Sequence, residues 1–212
     1  MNPVSLDALD LAALLCSRVC HDVISPVGAI VNGLEVLEDE KDPSMREFAQ
    51  ELIAKSARQA SARLQLCRIA FGAAGSAGAE IDTGDAEQVA RNFFSDDKTR
   101  LDWSGPRLLL PKNRVKLLLN VLLIAATAIP RGGQLHVEIG PEGRAFTVRA
   151  QGVNARIPPH AEELIAGAPA SGSVDAHAIQ PYYAGLIARA AGMAVAFAIQ
   201  GDVVTINVTP AG

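Results

Sequence analysis

One stretch near the N-terminus decides the fold: Arg18-Val19-Cys20-His21-Asp22-Val23-Ile24-Ser25-Pro26. It lies within a pattern in which apolar residues recur every three or four positions, which predicts a long helix that packs lengthwise on other helices. The positions of this heptad seam are Leu6, Leu9, Ala13, Cys16, Cys20, Val23, Val27, Ile30, Leu34 and Leu37. His21 lies one position off the seam, about 100° around the helix.

His21 is predicted to be accessible to another protein. Residues three, four and seven positions away share its helix face. They are Ser17, Arg18, Ser25 and Gly28, with Ile24 as the one bulky apolar neighbour. Pro26 removes a backbone donor and costs roughly 3 kcal/mol inside a helix. A helix that keeps such a proline beside an accessible imidazole indicates a functional constraint on this turn.

Composition narrows the function classes. The 212 residues are 49% hydrophobic and 20% charged, which predicts one or two small globular domains rather than a disordered chain. The net charge of -4 gives no electrostatic reason to expect a nucleic acid. The best candidate for a membrane span, residues 117–130, is too short and contains Asn120. The N-terminus does not resemble a signal peptide, so we expect a cytoplasmic protein without membrane contact.

The three cysteines, Cys16, Cys20 and Cys67, are expected to be buried thiols. An odd number argues against a disulfide framework in an intracellular chain, and buried free cysteine behaves as a small hydrophobe. A metal site at Cys16, Cys20 and His21 is the alternative. It is disfavoured because both cysteines fall on the heptad seam and His21 does not point with them.

The first 75 residues are predicted to form a helical hairpin. Residues 5–38 form the first helix, with Ser5 as its N-cap. Ser44, with Glu47 three positions later, is a capping-box pattern that opens a second helix over residues 45–72. Two antiparallel helices with this much apolar surface predict a homodimer that closes a four-helix bundle. The charged face of the second helix is expected to be solvated, with partner docking as the less favoured interpretation.

Small residues over positions 72–79 predict a linker, which divides the chain into domains at residues 1–75 and 80–212. Asp85 is expected to cap the first helix of the second domain, which ends at Phe94. Further helices are predicted at residues 112–128, 162–166 and 180–191, and strands at 101–103, 135–139, 145–150, 194–199 and 203–208. The fold class is therefore α+β, a helical hairpin followed by a sandwich in which helices cover one face of a mixed sheet.

The opening stretch resembles the H-box of two-component histidine kinases, in which a phosphoacceptor histidine is followed by an acidic residue and, five positions on, by a proline. His21, Asp22 and Pro26 match this motif. Ser25 stands where the family usually has threonine, and Ile24 stands at a position that is often basic. With the rest of the chain, the match resembles the alphaproteobacterial cell-cycle histidine phosphotransferases over nearly the whole length.

The second domain is similar in its order of elements to the GHKL ATPase fold of histidine kinases, but its nucleotide-binding residues are degenerate. Asn120 fits the first asparagine of the N-box, whereas the magnesium ligand falls on Ile124, which cannot coordinate a cation. The acid that contacts adenine falls on Ala150, and only Gly152 remains of its glycines. A proline and two tyrosines intrude into the phosphate-covering segment at residues 180–186. We therefore expect no nucleotide cofactor and no micromolar affinity for ATP.

The resemblance implies a histidine phosphotransferase of a bacterial phosphorelay. His21 would exchange a phosphoryl group reversibly with aspartates in the receiver domains of a hybrid histidine kinase and of response regulators, and each receiver would supply Mg²⁺. An imidazole nitrogen that is neutral near pH 7 is a competent nucleophile, and phosphoryl transfer needs positioning and charge neutralisation above all. Asp22 is a candidate for orienting the imidazole and Arg18 for contacting phosphate oxygens. Ser25 completes the candidate site.

Two other functions remain open at this point. A divergent but active histidine kinase is opposed by Ile124 and Ala150. A dimeric scaffold or inhibitor of two-component signalling proteins is the other alternative, and in such a protein His21 would be dispensable.

The remaining histidines and both tyrosines are expected to have no chemical role. His136, His160 and His177 have no partner spacing that indicates catalysis, so we interpret them as structural or solvated. Tyr182 and Tyr183 are expected to pack into the space that nucleotide fills in the kinases.

Overall fold

The computed structural model describes residues 4–72, 79–95 and 98–212, and its N-terminal part is the predicted helical hairpin. Helix α1 spans Ala8–Asp39 and helix α2 spans Pro43–Ala70. The two helices approach closely at Gly33, where a Cβ atom would lie 2.6 Å from the side chain of Ile53. Residues 73–78 of the predicted linker lie outside the described residues.

The N-caps of the hairpin differ from those predicted. Asp7, and not Ser5, caps α1, because its carboxylate accepts hydrogen bonds from the backbone N–H groups of residues 9 and 10. Asp42, and not Ser44, caps α2. Pro43 explains the second difference, since its fixed φ suits the first position of a helix and starts α2 before the predicted capping box.

The second domain contains a five-stranded mixed sheet of order β2-β4-β5-β7-β6, in which only the β2–β4 pair is parallel. Its elements are β1 (Glu80–Asp82), α3 (Thr83–Phe93), β2 (Thr99–Ser104), β3 (Leu109–Pro111), α4 (Lys112–Thr127), β4 (Gly133–Ile139), β5 (Phe146–Gln151), α5 (Ala161–Ala166), α6 (Ile179–Ala190), β6 (Met193–Gln200) and β7 (Val203–Pro210). The predicted hairpins β4–β5 and β6–β7 are confirmed. The short β1–β3 pair was not predicted, and Asp82 rather than Asp85 caps α3 because its carboxylate accepts the N–H of Gly84.

The alternation of buried and solvated residues along the central strands shows which face of the sheet is covered. In β5, Phe146, Val148 and Ala150 are buried, while the residues between them point to the open face. Helix α4 lies against the covered face and is buried along most of its length. The α+β class and the arrangement of helices on one face of a mixed sheet are confirmed.

The hairpin and the sheet domain share one apolar core. Leu66, Ile69 and Ala70, in the last turns of α2, belong to the same buried cluster as α4 and the central strands. A second cluster joins the start of α1 to α5 and α6, where Leu11 and Leu14 pack on Ile179. Two apolar clusters, one at the end of α2 and one at the start of α1, therefore fix the hairpin against the sheet domain.

The outward side of the hairpin is apolar but exposed. Leu9, Val27 and Leu34 of the heptad seam are exposed, and so are Met45 and Phe48 of α2. Helix α1 is long and apolar enough to cross a membrane by length and composition. The core helix of a soluble protein meets the same two criteria. These exposed side chains form the apolar stripe of the hairpin, although Val23 and Ile30 of the same seam are partly buried.

Within the single chain, the expectation of buried thiols holds for one of the three cysteines and fails for two. Cys67 is buried, and this burial raises the pKa of its thiol to about 11. Cys16 and Cys20 are exposed in the single chain, because the part of the heptad seam that carries them faces away from α2. Their thiols are in contact, and the hydrogen bond with Cys16 raises the pKa of Cys20.

Candidate phosphotransfer site

Helix α1 presents His21 to solvent in the middle of its length. The side chain is 74% exposed, which agrees with the small and polar neighbours that the sequence places on its face. Ser25, one turn further on, is also exposed. An imidazole in this position can be approached by the active site of another protein.

Pro26 explains how the turn that carries His21 is held. A proline has no N–H, so the carbonyl four residues earlier, that of Asp22, loses its donor within the helix. Arg63 of α2 fills this vacancy, because its guanidinium donates to the carbonyl oxygen of Asp22. The two helices of the hairpin are therefore tied together one residue after the candidate phosphoacceptor.

The carboxylate of Asp22 lies between His21 and Arg18 and contacts both side chains. Its Oδ1 atom lies 3.5 Å from His21 Nδ1, and its Oδ2 atom accepts a hydrogen bond of 3.0 Å from Arg18 Nε. Asp22 and Arg18 are largely buried, whereas His21 is not. This arrangement favours the imidazole proton on Nδ1, beside the carboxylate, and leaves the lone pair of Nε2 pointing outward. The contact between adjacent helical residues was not expected from helix geometry alone.

Arg18 is committed to Asp22 in this structure. The sequence suggested that its guanidinium approaches phosphate oxygens, and the remaining N–H groups of an arginine leave that role open as a prediction. In the geometry described here it orients the carboxylate that in turn contacts His21.

His177, which the sequence placed among structural or solvated residues, is exposed and lies beside His21. Its ring lies edge-on to that of His21, with 6.4 Å between ring centroids and 78° between ring planes. The segment before α6 brings it there, across the junction between the hairpin and the sheet domain. No local sequence signal indicates this contact, because it depends on how the two domains pack.

The region that resembles an ATP site does not fit a nucleotide with Mg²⁺. Asn120 is fully buried, and its amide group donates to the carbonyl oxygens of Ala70, at 3.0 Å, and Lys116, at 2.9 Å. Ile124 presents a buried hydrocarbon where a cation needs an oxygen ligand. Ala150 lies on the covered face of the sheet and is fully buried.

A cavity of about 420 Å³ remains between α1, α4, α5 and the segment before α6. Its walls combine Ile124 and Leu164 with prolines, and Arg18 and His177 lie at its edge near His21. Among the described residues that line the cavity, Asp175 is the one with an acidic side chain, and its carboxylate accepts hydrogen bonds from backbone N–H groups. These lining residues therefore offer no free carboxylate that could hold the Mg²⁺ of an ATP complex.

The two tyrosines are packing residues, as expected, and they also join the domains. The hydroxyl of Tyr182 donates to the carbonyl of Val4, at 2.9 Å, and accepts from the N–H of Leu6, at 3.3 Å. Tyr183 packs its ring on Phe71 and directs its hydroxyl to the carbonyl of the same residue, at 3.4 Å. Both side chains thus attach α6 to backbone of the hairpin.

Within the ranges 4–72, 79–95 and 98–212, no three His, Cys, Asp or Glu side chains are grouped closely enough to hold a metal ion. Cys16, Cys20 and His21 therefore do not form such a group within a single chain.

Comparison with known proteins agrees with this geometry. The family described as "Histidine phosphotransferase C-terminal domain" matches residues 83–203. The chain is 56% identical over 197 residues to the protein phosphotransferase ChpT of Brucella abortus (strain 2308), which covers 91% of this chain and 92% of that protein.

One solved structure matches over nearly the whole chain. A bacterial phosphotransferase matches with a TM-score of 0.89 and 50% identity, covering 98% of this chain and all of the other. The histidine kinase AdeS of Acinetobacter baumannii is a distant match at 12% identity and a TM-score of 0.46, over 89% of this chain and 95% of that one. The family match over more than half of the chain, together with a relative of 56% identity, shows that the chain belongs to the histidine phosphotransferases.

Proposed function

We propose that His21 carries a phosphoryl group between receiver-domain aspartates in a bacterial phosphorelay. The observation that carries the proposal is an accessible imidazole whose Nδ1 faces the carboxylate of Asp22, so that Nε2 is presented as the nucleophile. The donor is the receiver of a hybrid histidine kinase and the acceptors are receivers of response regulators. Both are identified by the acyl phosphate chemistry that a histidine can exchange with.

In the forward step, the Nε2 lone pair of His21 attacks the phosphorus of an aspartyl phosphate. The N–P bond forms, the P–O bond to the carboxyl breaks, and its electron pair leaves as the aspartate carboxylate. Positive charge develops on the imidazole ring while its proton remains on Nδ1. The adjacent carboxylate of Asp22, oriented by Arg18, offsets that charge. The reverse of this step delivers the phosphoryl group to the next receiver.

We propose that this chain contributes no nucleotide and no metal of its own to the reaction. The buried amide of Asn120 and the hydrocarbon of Ile124 support this assignment. Mg²⁺, which neutralises the transferring phosphoryl oxygens, then comes with the receiver. The expected site of action is the cytoplasm, where receiver domains and their kinases meet.

We also propose that two copies close a four-helix bundle through the exposed apolar stripe of the hairpin. The stripe includes Leu9, Val27 and Leu34 on α1, and Met45 and Phe48 extend it on α2. Such an exposed apolar surface is costly in water and is typical of an interface. A second copy is its natural occupant, because the same heptad spacing on both chains allows symmetric packing.

The transferase proposal is tested by mixing the protein with a phosphorylated, radiolabelled receiver domain and following acid-labile label on this chain. We expect label on the wild type and none on His21→Ala. His136→Ala is the matched control, because it removes an imidazole from the open face of the sheet, away from the site. Circular dichroism and mass in solution check that each variant is folded and assembled.

Two results would contradict the transferase assignment. One is an equal label on His21→Ala and wild type, which would place the phosphoryl group elsewhere. The other is an unlabelled wild type with every receiver tried, while the variant remains folded and dimeric. That second result would favour a scaffold or inhibitor of signalling proteins.

The dimer proposal is tested by thiol alkylation at neutral pH together with mass in solution. If the stripe is covered, Cys16 and Cys20 react slowly, and Cys67 reacts slowly because it is buried and its pKa is raised to about 11. Val27→Glu places a charge on the stripe, and we expect it to give a single-chain mass and two fast thiols. Val153→Glu, at an exposed position of the sheet domain, is the control. Two fast thiols in the wild type would contradict the dimer.

A further inference from the structure

His177 is the one imidazole in the described residues whose ring contacts that of His21, and it is supplied by the other domain. Side chains beside a reacting atom matter when they are held in place before the reaction, since no free energy is then needed to order them. The position of His177 can be traced to three groups of contacts.

The backbone on the N-terminal side of His177 is fixed by Asp175. The carboxylate of Asp175 accepts hydrogen bonds from the N–H groups of His177, at 2.9 Å, and Ala178, at 2.8 Å. These bonds, the one from Ala178 first, hold the pKa of the Asp175 carboxyl below its usual range. The two hydrogen bonds fix the backbone of the turn that carries His177.

The backbone on the C-terminal side is fixed by the core. Ile179 is fully buried and packs, with Tyr182, against the start of α1 at Leu11 and Leu14. Leu14 precedes His21 by seven residues and so lies on the same face of α1, two turns earlier. The apolar cluster thus sets the distance between the segment before α6 and the phosphoacceptor.

We propose that His177 is a positioning residue for phosphoryl transfer at His21, a role that rests on the function proposed above. Its ring limits the rotation of the His21 imidazole, and a ring N–H of His177 donates to a phosphoryl oxygen once the group is on Nε2. A phosphoryl group extends its oxygens beyond the edge of the ring, toward a side chain whose ring centre lies 6.4 Å away. No bond to His177 forms or breaks in this step.

The charges around the site agree with this role. The phosphoryl group brings two negative charges to a helix face whose nearest carboxylate, Asp22, is already paired with Arg18. Hydrogen-bond donors beside the His21 ring are then needed to hold the anion, and a bond to a charged acceptor is among the stronger ones. His177 is the side chain that the fold places there.

The test measures the rate of transfer from a phosphorylated receiver as a function of receiver concentration, by rapid quench. We expect His177→Ala to lower the limiting rate constant by about tenfold or more, without a comparable change in the concentration for half-maximal rate. His177→Gln keeps an N–H donor and is expected to recover most of the rate. His136→Ala is the control, and thermal unfolding confirms that the variants are folded.

A merely structural role predicts a different pattern. If His177→Ala changes only the unfolding temperature, or only the half-saturating concentration, the positioning role is wrong. It is also wrong if His177→Gln is as slow as His177→Ala. In each of these cases label still reaches His21, so the failure is distinct from that of the transferase assignment, in which the wild type itself remains unlabelled.

Discussion

Helix α1 of the hairpin carries His21, and helix α4 of the sheet domain carries Asn120. The two side chains differ in their exposure and in their hydrogen bonds. His21 is 74% exposed and keeps one ring nitrogen free for chemistry, whereas Asn120 is fully buried and spends its amide donors on backbone carbonyls. Tyr182 and Tyr183 resemble Asn120 in this respect, since both bind backbone of the hairpin. The hairpin therefore presents an accessible imidazole, whereas Asn120, Tyr182 and Tyr183 of the sheet domain bind backbone of the hairpin and hold the two domains together.

Replacement of Asn120 should give the largest change in stability. Asn120→Ala leaves the buried carbonyl of Ala70 without its donor, and we expect the free energy of unfolding to fall by about 1–3 kcal/mol. Transfer per folded molecule should change little. Urea unfolding and the transfer assay measure the two quantities, with Gln88→Ala, an exposed amide on α3, as the control. A loss of transfer without a loss of stability would show that Asn120 still belongs to an active site.

Tyr182→Phe tests the other side of the junction. It removes the hydroxyl that binds Val4 and Leu6, and we expect a loss of about 1 kcal/mol in the free energy of unfolding. Faster amide hydrogen exchange at Leu6 should accompany it, because that N–H loses its acceptor. Unchanged exchange at Leu6 would mean that Tyr182 does not attach the start of α1 to α6.

Arg63→Ala tests the hydrogen bond that joins the two helices of the hairpin beside His21. The carbonyl of Asp22 then lacks both its helical donor and its replacement, so we expect a loss of roughly 0.5–1 kcal/mol and a transfer rate reduced by a few fold. Arg63→Lys keeps a donor and should lie between. Arg58→Ala removes an exposed charge from the same helix and is the control. If Arg58→Ala has the same effect on transfer, the general charge of α2 matters rather than this bond.

The smallest effect concerns the cap of α3 in acid. The N–H of Gly84 and the guanidinium of Arg107 lower the pKa of the Asp82 carboxyl in the folded state. The unfolded state therefore takes up the proton first, and this contribution to stability is present above the ordinary carboxyl pKa and is lost as pH falls through the lowered one. Asp82→Asn should make unfolding less dependent on pH below about 4. Asp202→Asn is the control, and an equal effect there would contradict the assignment.

The sequence allowed the helices and the five strands of the main sheet to be predicted in order, because helix and strand periodicities are local, but it missed the short β1–β3 pair. It misplaced all three of the N-caps that it named, since in each case a nearby aspartate is the cap: Asp7 lies two residues after the predicted Ser5, whereas Asp42 and Asp82 lie before the predicted residues. Pro43 was a usable signal for the earlier start of α2. Caps are decided by which carboxylate reaches the free N–H groups, and several candidates lie within reach of each helix start.

The candidate site was predictable in part. The small neighbours of His21 indicated its exposure, and Pro26 implied an unpaired carbonyl at Asp22, although the sequence could not name Arg63 as the group that fills it. His177 could not be found, because its contact with His21 depends on packing between domains. The burial expected of Cys16 and Cys20 failed for a related reason, since a seam predicts packing but not whether the partner is the same chain.

The most direct test of the account compares two phosphoryl donors. The protein is incubated either with a phosphorylated receiver domain or with ATP and Mg²⁺, and peptides are then mapped by mass spectrometry under conditions that preserve phosphohistidine. With the phosphorylated receiver, we expect one phosphoryl group on the peptide that contains His21. With ATP and Mg²⁺, we expect none on any peptide. A phosphoryl group on another residue, or on His21 from ATP alone, would contradict the claim that the hairpin carries the chemistry and the second domain carries none.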